Sequence, residues 1–240
     1  MDGICTVCGR ILPDISKNKC DSCESKLFEE SNDEEQGHWI ETNSGLSFYP
    51  LTPKIEKIDI YDIAHSLSML CRFNGHCTSF YSVAQHSLLC ALEAKARGLS
   101  KKIQLRALIH DAQEAYISDI PRPVKACLPE IKEIEDRIQK EIYRKFGLYW
   151  DDKEANKLIN EIDNDILSYE AYRFLPSKGK TWANYDPNKL QISYKDREKV
   201  ISMHTAMLLT KRQFIDLFSA LYAADKEPDE KYSAISSFLD

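Results

Sequence analysis

From Ile58 onward, apolar positions recur at intervals of three and four, the spacing that keeps side chains on one face of a helix. The stripe Ile131, Ile134, Ile138, Ile142 and Phe146 predicts an amphipathic helix ended by Gly147, and Ala155, Leu158, Ile159, Ile162, Ile166 and Tyr169 make a second. Ile58 to Cys71 reads as a helix opened by Asp59 or Asp62, and Phe80 to Arg97 as one closed by Gly98. Ser100 caps the next, predicted to run through Tyr116 before Pro121 and Pro123 forbid continuation. A last helical stretch spans Lys195 to Ala224, with Met207, Phe214, Leu217, Phe218 and Leu221 as its apolar positions. Trp39 to Pro53, broken by Gly45, Pro50 and Pro53, has room for a short hairpin. With no internal repeat and no long alternating run, the predicted fold is mainly α.

At 240 residues the chain can bury one sizeable core and still carry a small appendage. Hydrophobic residues at 43% and charged residues at 29% fit a soluble globular protein. No apolar run reaches the roughly 18 residues of a membrane span, and cysteines and charges interrupt the N-terminus where a secretory signal would be apolar. The reading is therefore cytoplasmic, with no membrane partner. A net charge of -6, with both signs intermixed, provides no field to gather a nucleic-acid backbone, which argues against duplex nucleic acid as the main partner.

The first 23 residues hold Cys5, Cys8, Cys20 and Cys23 as two C-x-x-C pairs. That spacing lets two knuckles turn four thiolates onto one tetrahedral ion, a closed and hence structural zinc site. Residues 1–28 are read as this zinc-binding knuckle, the acidic run Glu29 to Gly37 as a linker, and 38–240 as the main domain. Cys71, Cys77, Cys90 and Cys127 lack such spacing and read as ordinary thiols.

The sharpest chemical signal is ALIHDAQEAYISDIP, residues 107–121. His110 and Asp111 are adjacent in an apolar stretch with Glu114 one helical turn on, and burying such groups is costly unless a cation compensates them. His86, alone among apolar neighbours, fits the same point if the two helices pack side by side. Asp163 and Asp165 flank one apolar stripe, and periodicity leaves open which of them is a fourth ligand.

The ordered blocks DIAHSLSMLCRFNGH (62–76), YSVAQHS (81–87), HDAQEAYISDIPRPVK (110–125) and EIDNDILSYEA (161–171) together resemble the HD-domain phosphohydrolases. The closest likeness is to the subgroup of bacterial 5'-deoxynucleotidases and phage dATP triphosphohydrolases, over residues 39–175. The resemblance implies a helical bundle around a divalent metal such as Zn, Co, Mn or Mg, held by His86, His110, Asp111 and Asp163, with Asp165 as the fallback and Leu167 and Glu170 behind. It implies catalytic roles for Glu114 and Asp119 and a phosphate grip by Arg72. Phe73 stands where the deoxynucleotidases often carry a Trp that helps exclude a ribose 2'-hydroxyl, which leaves sugar preference open. His76 and Lys125 are further substrate-binding candidates, Lys125 being weighed against a solvated surface role. Family members are often dimers, so a homo-oligomer is an open expectation, and the N-terminal knuckle is additional to the family pattern.

The implied reaction is hydrolysis of a small nucleotide substrate at the α-phosphorus, releasing phosphate from a monophosphate or triphosphate from a nucleoside triphosphate. Cyclic-nucleotide or alarmone hydrolysis, and a non-catalytic nucleotide-binding module, are the alternatives.

Overall fold

The computed structural model describes residues 3–4, 11–12, 38–182, 185–202 and 207–224. Two antiparallel two-residue strands, β1 (Gly3–Ile4) and β2 (Ile11–Leu12), bracket the sequence of the first cysteine pair. Cys5, Cys8, Cys20 and Cys23, and with them the predicted zinc site and acidic linker, lie outside the described residues. The hairpin foreseen near residue 45 is present as β3 (Ile40–Glu41) and β4 (Ser47–Phe48), with Gly45 at φ 81 in the connecting turn. Ser44 fastens it to the helical body, its backbone N–H and its hydroxyl donating to the Asp62 carboxylate at 2.8 and 2.7 Å. Phe48, fully buried, stacks on Tyr116 with ring centroids 3.7 Å apart.

The helices follow their caps. Asp59 accepts from the Tyr61 N–H and opens α1 (Ile60–Met69), while Ser82 and Gln85 form a reciprocal capping box at the start of α2 (Val83–Ala96). Gly98, at φ 71, turns the chain, and Ser100 caps α3 (Lys101–Leu108). The short helices α4 (Glu114–Ile117) and α5 (Arg122–Lys125) lead into the long α6 (Pro129–Lys145) and α7 (Lys153–Phe174). Two helices complete the order, α8 (Tyr194–Ile201) and α9 (Met207–Ala224).

Helix α2 is the axis of the bundle, packed against α1, α3, α7, α8 and α9. Its residues Val83 to Ala91 are all buried, which is why it shows no one-sided stripe: a helix covered on every side has no face to leave polar. Ile63, Leu67, Leu89, Leu105, Leu108, Ile138, Ile162, Ile166 and Phe214 form one continuous core around it. Each such side chain contributes about 1.5 to 3 kcal/mol of burial free energy. Glu93, buried at the far end of α2, accepts from Arg97 and from the backbone N–H groups of Gln191 and Ile192, tying the approach to α8 onto the axis. Among the described residues no helix is long and apolar enough to cross a membrane.

Two predicted boundaries need correction. The helix expected from Ser100 through Tyr116 stops at Leu108, and residues 109–113 form a turn before α4 begins. The cause is tertiary. Gln139, buried on α6, donates to the Ile109 carbonyl at 2.7 Å and accepts from the Gln113 N–H at 3.1 Å, giving those backbone groups partners that a continuous helix would otherwise supply. The stretch expected as one helix from Lys195 to Ala224 is described as α8 and α9, with residues 203–206 outside the described set.

Candidate metal centre

Three pieces of backbone aim side chains at one point: the middle of α2, the turn after α3, and the middle of α7. His86 on α2 is fully buried, and its Nδ1 lies 2.7 Å from Oε1 of Glu170 on α7. Glu170 is ionised despite its burial, because Arg72 and His86 hold its carboxyl below the ordinary range, so it can only accept and His86 Nδ1 must donate. His110 is fixed in the same way, its Nδ1 donating to the Ala107 carbonyl at 2.8 Å. Both Nε2 atoms are thereby turned toward the same space, 3.2 Å apart.

Two carboxylates close that space. Asp111 Oδ2 lies 3.2 Å from His110 Nε2 and 3.4 Å from His86 Nε2, and Asp163 Oδ1 lies 3.3 Å from His86 Nε2. Burial opposes ionisation of both aspartates, yet the two imidazoles hold Asp111 well below its usual range and Asp163 down to about 2. Facing lone pairs and carboxylates at such distances repel unless a cation, a proton or a metal ion, lies among them. Metal–ligand bonds of about 2.0 to 2.2 Å place neighbouring ligands of a tetrahedral or octahedral ion roughly 3 to 3.5 Å apart. The separations here match, and the mixture of imidazole and carboxylate suits a borderline or hard divalent ion.

Sequence reading missed the place of Cys90, which it grouped with ordinary thiols. His86, Cys90 and His110 present ligand atoms all within 4.8 Å of one another and could hold a metal as a triad. Cys90 Sγ is 3.6 Å from Nε2 and 3.9 Å from Nδ1 of His86, and so lies alongside the ring. Burial pushes its thiol up to about 11, against the downward pull of His86, so this sulfur must lose a proton to bind whereas the aspartates are already ionised. The aspartates are accordingly the cheaper partners for the two imidazoles.

Geometry also separates the two aspartates of α7. Asp163 points at His86, whereas Asp165 pairs with Arg97 at 2.9 Å and Lys189 at 3.5 Å on the other flank. Arg72, nearly buried in a turn ahead of α2, reaches Glu170 at 3.1 Å and Asp111 at 3.8 Å, while its Nε–H has no hydrogen-bond partner. Burial works against its charge, but Glu170, Asp119, Asp111 and Asp163 together hold it firmly protonated.

Glu114 is buried at the start of α4, and burial, then Asp111 and Asp119, push its pKa well up. Asp119 is also raised, by burial first, although Arg72 pulls it down. Asp119 follows Ser118, which holds φ 79 and ψ 161, a conformation costly for any residue with a side chain and one that turns the chain back after α4. Lys125 is no free surface lysine: it pairs with Glu135 at 2.7 Å and stands 3.6 Å from Glu114. Arg122, which sequence reading passed over, bonds Asp163 Oδ2 at 2.7 Å from a largely exposed position. Phe73 follows Arg72 and lies near Trp182, with centroids 6.5 Å apart, while His76 is exposed and the described contacts do not join it to the cluster.

Fold and site define a mainly helical protein in which His86, His110, Asp111 and Asp163 gather at the axis of the bundle, with Cys90 beside the two histidines. No family model matches the chain. It is 47% identical over 112 residues to the uncharacterized protein YfdR of Escherichia coli K12, a match covering 46% of this chain and 59% of that protein. It is 40% identical over 115 residues to an uncharacterized protein of Rhodobacter capsulatus, again covering 46% of this chain and 59% of the relative. The match thus spans less than two thirds of either relative's length, and neither name carries a function.

Proposed function

We propose that the chain is a metal-dependent phosphohydrolase of the HD-domain kind, cleaving a (deoxy)nucleotide phosphoester at the α-phosphorus. The observation that carries this is the convergence of His86, His110, Asp111 and Asp163 with Arg72 and two carboxyls of raised pKa, Glu114 and Asp119, at its edge. A metal scaffold alone has no need of the latter three. The chemistry supplied by a divalent cation, when bound there, is Lewis acidity toward a phosphoryl oxygen and a lowered pKa for water.

The chain's own residues do the rest. Arg72, set beside Asp111 at the edge of the cluster, grips the non-bridging oxygens of the phosphate with its planar fork. Glu114 orients the attacking water and takes up its proton on a carboxylate oxygen, a role that a raised pKa favours. Asp119, also raised, delivers a proton to the leaving 5'-oxygen. Lys125, already balanced by Glu114 and Glu135, keeps that carboxylate pair from repelling an incoming anion. The four N-terminal cysteines hold a separate structural zinc.

The test is a panel of nucleoside mono- and triphosphates, cyclic nucleotides and alarmones, assayed with Mg²⁺, Mn²⁺, Co²⁺ and Zn²⁺ in turn. The expected result is metal-dependent release of phosphate from a monophosphate or tripolyphosphate from a triphosphate. Release only from the cyclic or alarmone substrates moves the chain to that class. Silence across the panel with metal bound overturns the hydrolase reading in favour of a nucleotide-binding module.

A further inference from the structure

Cys71 and Cys77 stand at the two ends of the turn that carries Arg72, and their Sγ atoms lie 3.4 Å apart. A disulfide needs about 2.05 Å, so closing the pair takes roughly 1.4 Å of approach, within the reach of side-chain rotation. The contact is built by an unusual backbone: Phe73 (φ 55, ψ 28), Asn74 (φ 52, ψ 34) and Gly75 (φ 78) are three successive left-handed residues. Only the glycine adopts that region freely, and each of the others costs about 1 to 2 kcal/mol. The run doubles the chain back so sharply that sulfurs six residues apart in sequence touch. Neighbouring contacts hold it, with the Arg72 N–H donating to the Tyr81 carbonyl at 2.8 Å, the His76 N–H to Phe73 at 3.0 Å, and the Cys77 thiol to the Arg72 carbonyl at 3.5 Å.

Accessibility sets this pair apart. Both thiols are partly exposed, whereas Cys90 is buried and Cys127, exposed, has no sulfur neighbour among the described residues. A small oxidant can reach Cys71 and Cys77, and a sulfenic acid formed on either has its resolving thiol already in contact.

We propose that Cys71 and Cys77 are a reversible oxidation site, forming a disulfide across the Arg72 turn in the presence of hydrogen peroxide. The Cys71 thiolate, its proton given up to solvent, attacks the peroxide O–O bond, forming a sulfenic acid and releasing hydroxide, which takes up that proton as water. The second thiol attacks that sulfur, forming the S–S bond, and its proton leaves with the departing hydroxyl as water. Two thiols and one peroxide thus give one disulfide and two waters. A dithiol reductant reverses the change, as expected of disulfides that form transiently in a reducing compartment. The bond fastens the two ends of the turn covalently and fixes the backbone beneath Arg72, whatever reaction the neighbouring site performs.

The experiment uses the full chain, exposed to hydrogen peroxide, alkylated to trap remaining thiols and cleaved with trypsin. Cys71 falls in the peptide 58–72 and Cys77 in 73–95, which also holds Cys90. The expected product is the two peptides joined, lighter by two hydrogens than their sum, released by dithiothreitol and absent from both Cys77→Ser and Cys71→Ser. Backbone amide exchange over residues 72–77 is expected to slow at least severalfold in the oxidised wild type. The proposal is overturned if the pair stays alkylatable while Cys127 is oxidised, if the link persists in Cys77→Ser, or if exchange in the turn is unchanged by oxidation.

Discussion

His86 shows how much work a single side chain's second contact does. Its Nε2 faces His110, Asp111 and Asp163 because Glu170 holds Nδ1 from behind, and Glu170 in turn accepts from Tyr81 at 2.8 Å and pairs with Arg72. Removing that one negative charge while keeping the shape should loosen the ion without emptying the core. Glu170→Gln is expected to weaken divalent-metal affinity about 10- to 100-fold, measured by isothermal titration with Mn²⁺. An affinity within twofold of wild type would show that Glu170 does not orient His86. At this scale the sequence was partly legible. The histidines and Asp111 declared themselves as polar groups in apolar runs, and the family pattern carried Asp163 and set Glu170 behind it. The positions of Cys90 and Arg122 were not legible, because a thiol among apolar residues looks like packing and an arginine between two prolines looks like surface.

At the scale of the element, the turn at 109–113 decides whether His110 and Asp111 reach the pocket at all. Sequence periodicity ran one helix straight through it, since Leu105, Leu108, Ile109 and Ala112 keep helical spacing, and the interruption comes from Gln139, some thirty residues away. A long-range side-chain bond leaves no local trace. Gln139→Leu keeps the volume but removes both bonds, leaving the buried Gln113 N–H without a partner while the Ile109 carbonyl keeps only the Ala112 N–H at 3.2 Å. The variant is expected to lose about 1 to 3 kcal/mol of stability in urea titration and to bind Mn²⁺ more weakly. Unchanged stability would mean that the turn holds itself. Some caps, by contrast, were readable: Asp59, one of two candidates with Asp62, and Ser100 each start a helix where their side-chain chemistry said they could, whereas Ser82 was not singled out.

For the whole molecule, the bundle gathers two imidazoles and two carboxylates at its axis, and on the proposed assignment that concentration couples folding to a cation. Any ion bound by the native state alone stabilises it by about 2.7 kcal/mol at a hundredfold excess over Kd. For a chain of this size that shift is worth roughly 5 to 10 °C in Tm. Thermal unfolding should therefore rise by that amount with Mn²⁺ and fall again with chelator, and Asp111→Ala should show no such response. The mainly α architecture followed from the apolar stripes. The pivotal place of α2 did not, because a helix buried all round has no stripe to announce which way it faces. Its burial is what brings His86 into line with α7 and the turn after α3.

The central claim is that two imidazoles and two aspartates share one cation, and anomalous X-ray scattering from crystals grown with Mn²⁺ or Zn²⁺ tests it most directly. One strong peak is expected in the helical body, within bonding distance of Nε2 of both His86 and His110 and of the Asp111 and Asp163 carboxylates. A helical body without a peak, or a peak on Cys90 and the histidines with both aspartates turned away, would contradict it.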